Sequence, residues 1–105
     1  MPLIRLSIWV FGDDWTSEAY AINDIGQVVG ESHPPASSRP ILWHNDAAHT
    51  AFDLPLFPVD NYGTARLINN SATIIGTSAY AEPWTWNVTH SRMVIWIDGE
   101  IYDLL

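Results

Sequence analysis

A stretch of about fourteen residues occurs twice in this chain, and this internal repeat constrains the possible folds more than any other feature. Residues 19–32 align without a gap with residues 65–78, and five positions are identical, where chance predicts about one. The match resumes at residues 39–43 against 92–96, and again at 53–54 against 103–104. A fixed internal period of this kind is typical of stacked or radially repeated structural units.

The apolar runs of each repeat predict short β-strands. β-branched and aromatic residues dominate these runs, and no window keeps a helical apolar period past two turns. Gly, Pro, Asn and Asp separate the runs. We therefore expect one all-β domain, 1–105, with four antiparallel strands in each repeat, at about 18–56 and 64–105. The strand predicted at 3–11 is interpreted as part of a further, incomplete unit.

The same tight turn is predicted after the first strand of each repeat. Asn23 and Asn69 stand where that strand ends, and an Asn side chain can hydrogen-bond the backbone of its own turn. Gly26 is expected to adopt the left-handed conformation that closes the turn. Ala72 occupies the equivalent position of the second repeat, which costs about 1 kcal/mol if the backbone is the same.

Other repeated positions predict a bulge, a hairpin and core residues. Gly30 and Gly76 lie inside predicted strands, where glycine typically marks a bulge or a close neighbour. The pair 98–99 is Asp-Gly, a strong signal for a type I′ hairpin turn. Trp43 and Trp96 recur at matching strand positions and are expected in the core, as is Trp9.

These residues resemble the HAF repeat, a module found in tandem in bacterial proteins that are predicted to be extracellular. In the first copy the matching residues are Ala19, Ile22, Asn23, Gly26, Gly30, Trp43, Asp53 and Leu54. In the second copy they are Ala65, Ile68, Asn69, Gly76, Trp96, Asp103 and Leu104, and Ala72 departs from the pattern. The resemblance implies β-propeller-like blades and brings no catalytic residues.

Two blades cannot close a propeller, since closed rings need about four to eight. We expect a homo-oligomer, a dimer or a trimer, in which the apolar faces of the blades are covered. A monomeric β-sandwich or barrel is the alternative, and a fragment of a longer chain is a third possibility.

Charge and composition exclude several classes of partner. The net charge is −8 with no lysine, so we expect the surface to repel nucleic acid and anionic membrane. Cysteine is absent, which excludes disulfides and thiolate sites. The first residues lack the pattern of a signal peptide, which makes the cytoplasm the default location, whereas the HAF resemblance favours an extracellular one; the compartment stays undetermined.

Catalytic and metal signatures are weak. His44, Asp46 and His49 lie close in sequence, but they fall on a predicted hairpin turn, where solvated polar residues are the usual finding. The chain has no nucleophile elbow and no glycine-rich phosphate loop. We expect a protein that is not an enzyme and that holds no cofactor or metal.

Aromatic residues outside the repeated positions indicate a binding surface. The candidate ligand-binding residues are Trp15, Glu82, Trp84, Trp86, Asn87 and His90. Indole faces stack on sugar C–H groups while polar neighbours bind hydroxyls, so we predict a non-catalytic, lectin-like module for a carbohydrate or another small polar ligand at loops between blades. Alternatively, these rings fill a gap or a subunit contact. The alternative function is an acidic protein-interaction factor, or an inhibitor, of a basic partner protein.

Overall fold

The computed structural model describes residues 16–34, 37–82, 85 and 87–104, and within these ranges the chain forms eight β-strands and no helix. The strands are β1 (Thr16–Ile22), β2 (Val28–His33), β3 (Arg39–Trp43), β4 (Ala51–Asp53), β5 (Tyr62–Ile68), β6 (Ile74–Ala81), β7 (Val88–Ile97) and β8 (Glu100–Asp103). The described part of the chain thus has no helix long and apolar enough to cross a membrane. The strand predicted at 3–11, with Trp9, lies outside the described residues.

Each repeat forms one four-stranded antiparallel sheet. Sheet 1 has the strand order β1-β2-β3-β4, and sheet 2 has the order β5-β6-β7-β8. Neighbours in the sequence are therefore neighbours in the sheet, because each strand connects to the next through a short reversal. The predicted all-β class, with four antiparallel strands in each repeat, is confirmed.

The predicted Asn turn is present in both sheets. In sheet 1 the Asn23 side-chain oxygen accepts a hydrogen bond from the backbone N–H of Gln27 at 2.9 Å. In sheet 2 the Asn69 side-chain oxygen accepts bonds from the N–H groups of Ser71 and Thr73, at 2.9 and 3.0 Å. These bonds satisfy backbone donors that the tight turn leaves without strand partners.

Positive φ angles occur at the turns where the sequence predicted them, and also at His49 and Val59, where it did not. Gly26 has a φ of 83° and Ala72 has a φ of 60°, so the alanine keeps the left-handed backbone of the glycine that it replaces. Asp98 and Gly99 have φ angles of 52° and 81°. Two successive positive φ angles between paired strands are the mark of a type I′ turn, as Asp-Gly predicted.

Gly30 and Gly76 each face a β-bulge on the neighbouring strand. The β1–β2 register shifts between Ala19 and Ala21, opposite Gly30, and the β5–β6 register shifts in the same way opposite Gly76. A Cβ on either glycine would lie 1.9 Å from a carbonyl oxygen of the bulged strand. Only glycine allows this approach, so the predicted bulge with a close neighbour is confirmed in both repeats.

Alternation along the strands gives each sheet two apolar faces. The tryptophan face is the one that carries Val28, Ile41 and Trp43 in sheet 1, and Ile74, Val94 and Trp96 in sheet 2. The opposite face carries Ala21, Val29, Leu42, Phe52 and Leu54 in sheet 1, and the corresponding Leu67, Ile75, Ile95, Tyr102 and Leu104 in sheet 2.

The main core forms where the opposite face of sheet 1 packs on the tryptophan face of sheet 2. Its buried members are Val29, Leu42, Leu54, Ala65, Ile74, Val94 and Trp96. Trp96 is 1% exposed, and its indole N–H donates to the Pro55 carbonyl at 2.7 Å. Full burial of one large apolar side chain stabilises the fold by about 1.5–3 kcal/mol, so this contact between sheets is a large favourable contribution.

The tryptophan face of sheet 1 is also buried. Trp43 is 2% exposed, and Ile41 beside it is 0% exposed. Ala19, Ile22 and Ala51 pack against this second cluster. The prediction that Trp43 and Trp96 belong to the core is therefore confirmed.

Replacing Gly76 with alanine is expected to lower the free energy of unfolding by about 3 kcal/mol, because the new Cβ overlaps the Thr64 carbonyl oxygen in a packed sheet. Gly99→Ala is the matched control, since that position has a φ of 81° but no neighbour within 4 Å. The control is expected to cost about 1 kcal/mol. Equal losses in urea unfolding would show that the close approach at Gly76 is unimportant.

Replacing Ala72 with glycine is expected to stabilise the protein by about 1 kcal/mol, because glycine adopts the positive φ without strain. Ala47 lies in an exposed turn without a positive φ, so Ala47→Gly is expected to destabilise slightly. Urea unfolding of both variants checks the opposite signs. A loss of stability on Ala72→Gly would contradict the assignment of strain.

Candidate functional site

The residues predicted to bind a ligand fall into two groups. Trp15, Trp84 and Trp86 lie outside the described residues. Glu82 and Asn87 lie at the ends of the β6–β7 connection, where the Glu82 N–H donates to the Asn87 carbonyl at 3.0 Å. The Thr85 hydroxyl donates to the Glu82 carboxylate at 3.1 Å, so both predicted residues take part in closing this loop.

His90, the remaining predicted residue, lies on β7 and contacts Asp60. Its Nε2 is 2.8 Å from one Asp60 carboxylate oxygen, and the Ser78 hydroxyl donates to the other at 2.6 Å. The Asp60 side chain is only 1% exposed, so these two partners stabilise a buried carboxylate. The aspartate stands between the histidine and the serine, an order in which the imidazole cannot take the serine proton as a catalytic triad requires.

A carboxylate cluster, formed by Glu18, Glu31 and His33, lies where sheet 1 meets β5. One ligand atom from each of the three residues lies within 4.8 Å of the other two, which is close enough for a cation. Glu31 is 6% exposed, and the Ser38 hydroxyl donates to its carboxylate at 2.7 Å. The Tyr20 hydroxyl also donates into the pair Glu18 and Glu31. These donors satisfy the buried carboxylate, so the cluster is a structural hydrogen-bond network.

The two bulge residues meet beside this cluster. Tyr20 and Arg66 occupy equivalent positions in the two repeats, and the Arg66 guanidinium carbon lies 4.2 Å from the centre of the Tyr20 ring. Burial raises the pKa of Tyr20 above its ordinary value, and the hydrogen bond to Glu31 raises it further. Tyr20 therefore stays neutral and keeps donating its proton throughout the physiological pH range.

The aromatic cleft is a cavity of about 350 Å³ between the two sheets. Its lining comes from both repeats and comprises Gln27, Leu42, His44, Phe52, Asp53, Leu54, Pro55, Ala72, Ile74, Trp96, Asp98 and Gly99. Phe52 is 52% exposed, and the His44 ring packs edge-on against it with centroids 4.7 Å apart. The cleft thus combines an accessible aromatic ring with polar groups at its rim.

The cleft lies at the end of β6 that is remote from the loop predicted to bind a ligand. Ile74 begins β6 and lines the cleft, whereas Ala81 ends β6 and leads into the loop that contains Glu82. A second cavity, of about 340 Å³, contains Ser37, Arg39 and Asn61 in its lining but no aromatic ring. Of the two, the aromatic cleft has the composition typical of ligand pockets, which are largely apolar with a few polar groups.

The polar turn at 44–49 has its own hydrogen bonds. The Asp46 carboxylate accepts bonds from the backbone N–H and the hydroxyl of Thr50, at 2.8 and 2.6 Å. The hydroxyl contact is the main reason that the pKa of Asp46 is lowered. Asp46 therefore fixes the β3–β4 turn, while His44 faces the cleft.

Comparisons with protein-family models, with curated proteins and with solved structures found no match for this chain. Sequence reasoning missed the cleft because it forms between the sheets, from residues far apart in the chain. It missed the carboxylate cluster because Glu18 and Glu31 meet only through the pairing of β1 with β2. The one available signal was the repeat itself, since Phe52 and Trp96 occupy repeated strand positions.

The stability of the fold is expected to fall above pH 10, and Tyr20→Phe is expected to flatten this dependence. The folded pKa of Tyr20 is raised, so the stability that its neutral hydroxyl contributes is complete below about pH 10, the unfolded value, and is lost as the pH rises toward the folded value. Urea unfolding at pH 8 and pH 10.5 measures the effect.

Tyr62 and Tyr102 also have a raised pKa, and both are present in the wild type and in the variant. Their contribution to the pH dependence of stability is therefore the same in the two proteins and cancels when the curves are compared. Parallel pH curves for the two proteins would show that Tyr20 does not contribute.

Proposed function

We propose that this protein is a non-catalytic binding module that takes a carbohydrate or another small polar ligand in the aromatic cleft. The observation that carries the proposal is the cleft itself, a cavity of about 350 Å³ built by both repeats around the accessible face of Phe52. Ligand pockets start at about 300 Å³, so the cleft suits a small ligand.

The lining supports a ligand with one apolar face and several hydroxyl groups. The half-exposed Phe52 ring can stack on C–H groups, and the neighbouring His44 ring contacts it at an interplanar angle of 77°. Asp98 stands at the rim, and its carboxylate can accept strong hydrogen bonds from hydroxyl donors. Gln27 adds an amide that can donate and accept.

The charge of the rim favours neutral or cationic sugars over anionic ones. Asp98 lines the cleft, and the chain as a whole carries −8. An anionic sugar would meet like charges in a partly enclosed site, where repulsion is stronger than in open water. Neutral hexoses and amino sugars are therefore the first ligands to test.

The non-catalytic character and the propeller-like arrangement belong to the same proposal. The Ser78–Asp60–His90 arrangement has the wrong order for nucleophile activation, which supports binding without catalysis. The repeated Asn turns and bulges support kinship with the HAF repeat and an arrangement of blades like that of a propeller.

A glycan array followed by calorimetry on the best hit tests the function. Phe52→Ala is expected to weaken binding at least tenfold, because the stacking face is lost. The matched control is Tyr102→Ala, since Tyr102 is the equivalent residue of the second repeat, is 46% exposed and does not line the cleft. This control is expected to bind as the wild type does.

Trp84→Ala and Trp86→Ala decide where the ligand binds. Loss of binding in these variants, with Phe52→Ala unaffected, would place the ligand at the loop predicted from the sequence and remove the cleft from the proposal. No glycan hit at millimolar concentration would overturn the carbohydrate proposal altogether.

A further inference from the structure

The opposite face of sheet 2 is an apolar surface that stays exposed in the single chain. Leu67, Ile75, Ile95 and Tyr102 lie directly opposite one another across all four strands, on β5, β6, β7 and β8. Leu67 is 60% exposed and Tyr102 is 46% exposed. Met93 and Ile97 extend the same face along β7, and they are 50% and 40% exposed. Side chains from four strands thus form one continuous patch rather than scattered apolar residues.

Comparison of the two repeats shows that the equivalent face of sheet 1 is covered. The corresponding face of sheet 1 packs against sheet 2 in the main core. Leu54 of sheet 1 is 6% exposed, whereas its counterpart Leu104 is 40% exposed. Val29 is 0% exposed, whereas its counterpart Ile75 is only partly buried. The two faces share their residue pattern, and they differ in whether something covers them.

Of the apolar sheet faces on a second copy, the two tryptophan faces are already buried and cannot cover this face. The tryptophan face of sheet 2 is part of the main core, and on the tryptophan face of sheet 1 neither Ile41 nor Trp43 is more than 2% exposed. Neither face has exposed apolar side chains at these positions to offer to a second copy. The described apolar sheet face that a second copy still offers is the opposite face of its own sheet 2.

Few charged side chains lie on this face, although the chain carries −8. Arg92 and Asp103 pair with one another at 3.7 Å, away from the face. Arg66 lies over the Tyr20 ring, and its Nε donates to the Thr64 hydroxyl at 3.3 Å. Glu100 remains on the face, beside Tyr102, whose hydroxyl donates to it at 2.7 Å. The carboxylates beside the patch, Glu100 and Asp98, lie at its β7–β8 end next to Tyr102, so repulsion between two copies is concentrated there.

We propose that the protein forms a two-fold symmetric dimer in which the opposite faces of sheet 2 pack on one another. A two-fold contact uses the same patch on both copies and closes at two subunits. Leu67, Met93, Ile95 and Tyr102 form its apolar centre. The aromatic cleft lies on the other side of sheet 2, against sheet 1, so both copies keep an open cleft.

Light scattering across a concentration series tests the dimer. The wild type is expected to be a dimer at 100 μM, and Leu67→Glu is expected to raise the dimer dissociation constant at least tenfold. Ile25→Glu is the matched control, because Ile25 is also 60% exposed but lies in the β1–β2 turn. It adds the same charge and is expected to leave the dimer intact. If Leu67→Glu fails to fold, Met93→Glu tests the same face.

Cross-linking tests the symmetry. The chain has no cysteine, so a single introduced cysteine can form a disulfide only with another copy. Ile95 lies at the centre of the face, and Ile95→Cys is expected to form covalent dimers at least ten times faster than Ile25→Cys under mild oxidation. Equal rates, a wild-type monomer at 100 μM, or an assembly of three or more copies would each overturn the proposal.

The dimer and the ligand proposal fail independently. Loss of the dimer in Leu67→Glu with unchanged glycan binding would support both. A wild-type monomer that binds a glycan through Phe52 would remove the dimer alone.

Discussion

The contact between the opposite face of sheet 1 and the tryptophan face of sheet 2 holds this small protein together. A single four-stranded sheet has no core of its own, because both of its faces are apolar and neither can cover the other. Stacking the two repeats in the same orientation buries one face of each, around Val29 and Trp96. The same contact creates the aromatic cleft, whose lining includes Leu54 from the first repeat and Ile74 from the second.

Much of the fold could be predicted from the sequence because it depends on local chemistry. Asn23 and Asn69 form the same turn, and Asp98-Gly99 forms the predicted hairpin, since the relevant bonds join residues a few positions apart. The repeat also allowed a structural prediction for one copy to be transferred to the other. Ala72 would be an unconvincing turn residue alone, but Gly26 at the equivalent position revealed its positive φ.

The candidate site could not be predicted in the same way, because it depends on how two sheets are placed relative to one another. Phe52 and Asp98 line one cleft although 46 positions separate them in the numbering. Asp60 contacts Ser78 and His90, which lie 18 and 30 positions later in the chain. Local patterns carry no information on such contacts. They depend on the packing distance between sheets, about 10 Å, and on the side chains that happen to meet across it.

The bulges opposite Gly30 and Gly76 determine which positions of the two repeats can differ in sequence. The carbonyl oxygen at each bulge leaves no room for a side chain on the facing glycine, so that position cannot vary. The extra residue of the bulge has no partner in the strand ladder, and its identity is therefore almost unconstrained by the sheet. Tyrosine occupies this position in one repeat and arginine in the other, and the two side chains stack on each other. A rigid position and a variable one thus lie side by side, which lets duplicated units keep one backbone while acquiring complementary surfaces.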